Sequence, residues 1–65
     1  GSKEFNEVME LAVRMYPEDE TANLNAAIIR LNNGDAEAAK PYLDRAGESK
    51  EADAARKAYE MMKIQ

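Results

Sequence analysis

Residues 22–46 read ANLNAAIIRLNNGDAEAAKPYLDRA, and this stretch decides the fold. On both sides of Asn33-Gly34-Asp35 the apolar residues recur at three- and four-residue steps, which is the periodicity of two helices. An Asn-Gly pair between alternating flanks would signal a β-hairpin turn. These flanks do not alternate, so Gly34 is expected to supply the left-handed conformation past one helix and Asp35 to cap the next. The spacing Ala39-x3-Leu43-x2-Ala46 also has an upstream counterpart in Phe5-x3-Met9-x2-Ala12-x4-Pro17. Anchors that recur one helical hairpin apart are the mark of a helix-turn-helix repeat.

Working outward, the first helix is predicted from Lys3 to Tyr16. Ser2 is its N-cap, and Pro17 stops it by restricting the residue before it. Phe5, Val8, Met9, Ala12, Met15 and Tyr16 make its apolar stripe, and Glu10 precedes Arg14 by the four residues of a helical ion pair. Pro17-Glu18-Asp19-Glu20 is a turn whose acids favour the positive end of the second helix, predicted over residues 20–33. That helix is apolar on more than one face, so it should be central. The third runs from Ala36 to Ala46 with Pro41 inside it, where the lost bond to Glu37 costs roughly 3 kcal/mol in a regular helix. A kink is expected, because Asp35 is a good cap; the alternative is a loose first turn. Gly47-Glu48 closes that helix. Ser49 caps the fourth, predicted from Lys50 to Lys63, with Ala52, Ala55, Tyr59 and Met62 on its stripe and an Asp53–Lys57 pair. Four helices with short connections pack as antiparallel neighbours, in a bundle or in a repeat stack.

Composition narrows the function. A chain of 65 residues is one small domain that buries about 60% of its unfolded surface, with no room for a large enclosed pocket. Cysteine and histidine are absent, which removes disulfides, thiolate and imidazole metal ligands, and the commonest catalytic nucleophiles and bases. The net charge is −4, and the nine Lys and Arg residues form no basic run, so neither nucleic acid nor an anionic membrane is an expected partner. No apolar run reaches the roughly 20 residues of a membrane span, and no signal-peptide pattern opens the chain. Gly1-Ser2 reads as a tag remnant, leaving residues 3–65 as the domain.

Three residue groups could carry chemistry. The acids Glu4, Glu7 and Glu10 share a helix face and Glu18-Asp19-Glu20 form a turn, yet no carbonyl-rich loop completes a hard-cation shell. A solvated acidic surface is the expected reading. Tyr16, Tyr42 and Tyr59 each fall on an apolar stripe, as amphipathic core edges do. Met61-Met62 read as gap-fillers rather than as an adaptable contact. No catalytic, metal or cofactor-binding residue is assigned, and a non-enzyme without cofactors is expected.

With their gaps in place, the anchors resemble the tetratricopeptide repeat family, whose units of about 34 residues pair two helices. Phe5, Met9, Ala12 and Pro17 resemble the tail half of one unit. Ala22 to Leu31, Gly34-Asp35 and Ala39, Leu43 and Ala46 resemble a whole unit, and Ala52 to Met62 the opening helix of a third. Asn23 and Arg30 stand where the family has aromatics, Ala26 replaces a leucine, and Phe5 replaces a small residue. Lys57 falls on a tight small-residue site and Ile64 where the turn glycine would be. The resemblance implies an all-α fold of four antiparallel helices stacked as a short right-handed superhelix.

It also implies a non-catalytic scaffold module that binds a protein or peptide on a concave face. Carried onto this chain, that face comprises Leu24, Asn25, Ile28 and Asn32 with Ala54, Ala58 and Met61. The subclass that clamps a terminal carboxylate has Lys and Asn where Leu24 and Ile28 stand, so no such clamp is expected. The alternative is a structural capping or spacer segment with no ligand of its own. The stretch Phe5 to Pro17, Asn23 to Ala27 and Gly34-Asp35 is similar to helical-repeat segments of bacterial cell-envelope proteins, which implies a periplasmic place within a longer protein. Exposure of Leu24, Ile28 and Met61 together would favour partner binding, and their burial the spacer.

Overall fold

A computed structural model describes residues 2–64, except for the side chain of Ser2. It is all-α: α1 (Ser2–Met15), α2 (Glu20–Asn32), α3 (Ala36–Asp44) and α4 (Lys50–Ile64), with no strand among the described residues. Gly1 and the Ser2 side chain, on which the expected tag remnant and cap rest, lie outside the described residues; the Ser2 backbone opens α1, one residue before the expected Lys3.

Local chemistry sets most boundaries. Asp19 accepts a hydrogen bond through Oδ2 from the Ala22 amide at 2.8 Å, Asp35 through Oδ1 from Ala38 at 3.2 Å, and Ser49 through Oγ from Ala52 at 3.0 Å. Each side-chain oxygen satisfies one of the amides left open at a helix start. At the end of α2 the Gly34 amide donates to Leu31 and the Asp35 amide to Arg30, with Gly34 at φ +78°. That bond pair is a Schellman motif, and the positive φ is why glycine follows Asn33.

Helix α3 ends at Asp44, two residues before the expected Ala46. The Arg45 and Ala46 amides bond back only three residues, to Tyr42 and Leu43, so the last turn tightens. Gly47, at φ +79°, then turns the chain. Ala46 stays in the core, and Arg56 of α4 donates to the Leu43 carbonyl at 2.8 Å. Pro41 lies inside α3 with its ring exposed. Beside it the Asp44 carboxylate accepts a hydrogen bond from Lys40 and holds that exposed ammonium above its ordinary pKa.

Helix α2 is central, as its apolar breadth predicts. It packs against each of the other three, most extensively against α3, and α3 also packs against α4. The main core joins Leu24, Ala27, Ala39, Leu43, Ala46, Ala52 and Ala55. A smaller one joins Val13 of α1 to Ala22 and Ala26 of α2. Alanine at these contacts lets backbones approach closely, while each residue removes little apolar area from water. This core is therefore tight but thin.

The first helix departs from the expected orientation. Val13 is buried, whereas Phe5, Val8, Met15 and Tyr16 of the predicted stripe, and Leu11 beside it, are each more than half exposed. Met9 and Ala12 alone of that stripe are half-buried. Small residues at Ala22 and Ala26 accept Val13, and Glu10 beside it takes a partner on α2.

Candidate functional site

That partner is Arg30. Its two terminal nitrogens donate to the Glu10 carboxylate at 2.9 and 3.1 Å, a bidentate pair, in place of the expected Glu10–Arg14 contact within α1. Arg30 Nη1 also donates to the Ala26 carbonyl at 2.9 Å, Nη2 lies 3.3 Å from the Tyr42 hydroxyl, and the guanidinium stacks 4.1 Å from the centre of the Tyr42 ring. One cation thereby ties α1, α2 and α3. Arg45 approaches the same ring at 5.5 Å and donates through Nε to Oδ1 of Asn23 at 3.1 Å.

Asn23 has no exposed surface. Its amide nitrogen donates to the Pro17 carbonyl at 2.9 Å and the Asp19 carbonyl at 2.8 Å, so both ends of the side chain are satisfied. Among the described residues no buried side-chain nitrogen or oxygen lacks a partner. Asn23 and Arg30, which stand where the resembled family has aromatics, are thus the hubs of one internal network. Bonds of this kind hold helices in register.

The seven residues assigned to a partner surface do not stay together. Ile28, Asn32, Ala54 and Ala58 come together in a shallow groove of about 330 Å³ between α2 and α4. Leu31, Glu51 and Ala55 complete its lining. Leu24 is 9% exposed and belongs to the main core, and Asn25 is half-buried. Met61 is 65% exposed and lies outside the groove lining. The groove is mainly apolar, with Asn32 and Glu51 as its polar members.

Leu31 was missed because it lies at the edge of the face carried over by resemblance. A larger omission is the outer face of α1, where Phe5, Val8, Leu11 and Met15 stand in solvent. Its signal was present: with Leu11 and Val13 added to the stripe, α1 is apolar over more of its circumference than one neighbour can cover.

The acids do not converge. Among the described residues no three of His, Cys, Asp or Glu are grouped to hold a metal ion. In α4 the acid–base contact runs from Asp53 to Arg56, at 3.8 Å, rather than to the expected Lys57. No helix among the described residues is long and apolar enough to cross a membrane. Comparison of the chain with protein-family models, with curated proteins and with solved structures returned no match.

Proposed function

We propose that this chain is a non-catalytic helical-repeat module, tetratricopeptide-like in its helix pairing, whose work is contact with other proteins. The observation that carries this reading is the outer face of α1, where Phe5, Val8, Leu11 and Met15 are each more than half exposed. Single exposed apolar residues are ordinary, but a contiguous row on one helix marks a contact surface. The α2–α4 groove offers a second, smaller apolar site. A protein or peptide partner fits both features.

The second reading is a capping or spacer segment with no ligand of its own, in the periplasmic part of a cell-envelope protein. Leu24 favours it, since the residue expected to meet a partner is enclosed in the core. The exposed Lys57 favours it too, because capping repeats have polar outer faces.

The two readings separate by photo-crosslinking in the cells that make the protein, with a photoreactive residue at Leu11, at Ile28 or, as control, at Glu48. A discrete protein adduct at Leu11 or Ile28 and none at Glu48 is expected. Absence of adducts at both test positions refutes the contact reading and leaves the spacer.

A further inference from the structure

We infer that Asn33 is a site of spontaneous covalent modification, in which its side-chain amide is lost to the Gly34 nitrogen and water leaves aspartate or isoaspartate in its place. The rate is set by opening of the turn between α2 and α3. Neither the internal network nor the apolar faces use these two residues, which sit where α2 ends.

The Gly34 nitrogen attacks Cγ of Asn33 and a cyclic imide forms. The Cγ–Nδ2 bond breaks, and the departing nitrogen takes the peptide proton to leave as ammonia. Water then adds to either imide carbonyl: opening at Cγ gives aspartate, and opening at the main-chain carbonyl gives isoaspartate, whose chain runs through Cβ and Cγ. Water is the sole co-reactant. Access to the nitrogen is the main demand, and glycine leaves it uncrowded. A Cβ at Gly34 would meet nothing within 4 Å, so there is room for the ring. Asn33 is exposed, and its side chain makes no hydrogen bond among the described residues. Asn6, Asn23, Asn25 and Asn32 instead lie inside helices, and each precedes a residue with a side chain.

The closed turn blocks the attack. Asn33 has ψ 2°, which eclipses the Gly34 nitrogen with the Asn33 nitrogen. Ring closure needs it beside Cβ, about a third of a turn away around the Cα–C bond, in backbone space that L residues rarely occupy. The Gly34 amide also donates to the Leu31 carbonyl at 3.0 Å, and the Asp35 amide to Arg30 at 2.9 Å. Both bonds must break before the nitrogen can turn and lose its proton. The reactive form is therefore locally open, and the rate follows its population when reclosing outruns attack. The products do not restore the turn. Isoaspartate adds a carbon to the main chain before the Gly34 amide, which carries both amides out of register with their carbonyls. Aspartate puts a charge at the negative end of α2. Because α2 and α3 share the main core, either product lowers the stability of the fold.

The test incubates the chain in mildly alkaline solution, folded in buffer and unfolded in concentrated urea, with digestion and mass spectrometry at intervals. Circular dichroism checks that the first sample stays folded. The mass gain of an amide turned to a carboxylate is expected at Asn33, placed there by fragmentation, with isoaspartate and aspartate separated by chromatography. It should accumulate at least about fivefold faster in urea than in buffer, as a turn that is mostly closed requires. The other four asparagines should keep their amides over the same period. The isoaspartyl chain, isolated and refolded, should have a lower urea midpoint than the unmodified one. Equal rates in buffer and urea overturn the inference, as does a rate at Asn33 no higher than at the other asparagines. An unchanged midpoint for the isoaspartyl chain overturns the claim that the modification undoes the turn.

Discussion

Replacing Asn23 by alanine should cost more than any single exposed substitution in this protein. The side chain is fully buried and makes three hydrogen bonds, two donated to the carbonyls of Pro17 and Asp19 and one accepted from Arg45. Each such bond contributes about 1 kcal/mol net, and stranding a buried partner adds more. The Asp19 carbonyl keeps its bond from the Asn23 amide, and Pro17 and Arg45 reach solvent, so the stranding penalty stays small. The expected loss is about 3 kcal/mol. A chain of this length has a total stability of only about 3–10 kcal/mol. With a urea m-value near 1 kcal/mol/M, the denaturation midpoint should fall by about 3 M or the protein should be largely unfolded in buffer. Arg45→Ala removes one of the three bonds from an exposed residue and should cost about 1 kcal/mol. Urea titrations followed by circular dichroism measure both. A midpoint shift under about 0.5 M for Asn23→Ala, or a larger one for Arg45→Ala, refutes the claim that Asn23 organises the α1–α2 turn.

The Glu10–Arg30 pair, with side chains about a third or less exposed, should give a coupling of about 0.5–1 kcal/mol in a double-mutant cycle of Glu10→Gln and Arg30→Gln, smaller at 1 M salt; zero coupling would mean the pair is incidental. Ala27→Leu places a large side chain where no surface is exposed and should cost about 1–3 kcal/mol; an unchanged midpoint would show the α2–α3 contact to be loose. Pro41→Ala restores the missing amide in α3 at an exposed position and should raise the melting temperature, whereas a fall would mean that the proline suits the native backbone there. Gly34→Ala and Gly47→Ala each force alanine to a positive φ at a cost of about 1–2 kcal/mol. The Gly47 variant should lose more, since its new methyl meets the Glu20 carboxylate while Gly34 faces open space; equal losses would show that Glu20 swings away freely.

What was legible in the sequence is what neighbouring residues decide. Asp35 and Ser49 cap because their oxygens reach an amide three residues on, as Asp19, expected only as one of the turn's acids, also does, and Gly34 ends α2 because the Schellman bonds need a positive φ. None of this depends on distant packing, and the starts of α2, α3 and α4 were accordingly readable. The end of α3 was harder, because a tightened turn held by Arg56 depends on a helix 13 residues away. The face of α1 was hardest. Its apolar stripe is stronger than the side it buries, and the deciding contact joins Glu10 to a residue 20 positions on. Arg14 is the nearer partner in sequence, but Arg30 offers both nitrogens to both carboxylate oxygens. The groove residues Ile28, Asn32, Ala54 and Ala58 were named only through the resemblance to a repeat family, and they lie together because α2 and α4 pack against each other, while Leu24 went to the core because α2 is covered on more than one side.

The internal network and the exposed face of α1 are two consequences of one arrangement. A core made largely of alanine defines helix separation well and helix rotation poorly, since methyl groups interlock little. Rotation about the α1 axis is instead fixed where Arg30 grips Glu10 from α2 while its guanidinium lies on Tyr42 of α3. Burying Phe5, Val8 and Leu11 would require α1 to roll and break that bidentate pair. The apolar gain of such a roll would be limited, because Ala22 and Ala26 form a contact fitted to Val13 rather than to an aromatic ring. The same guanidinium that holds α1 in place therefore keeps its apolar row turned outward, where another molecule can reach it.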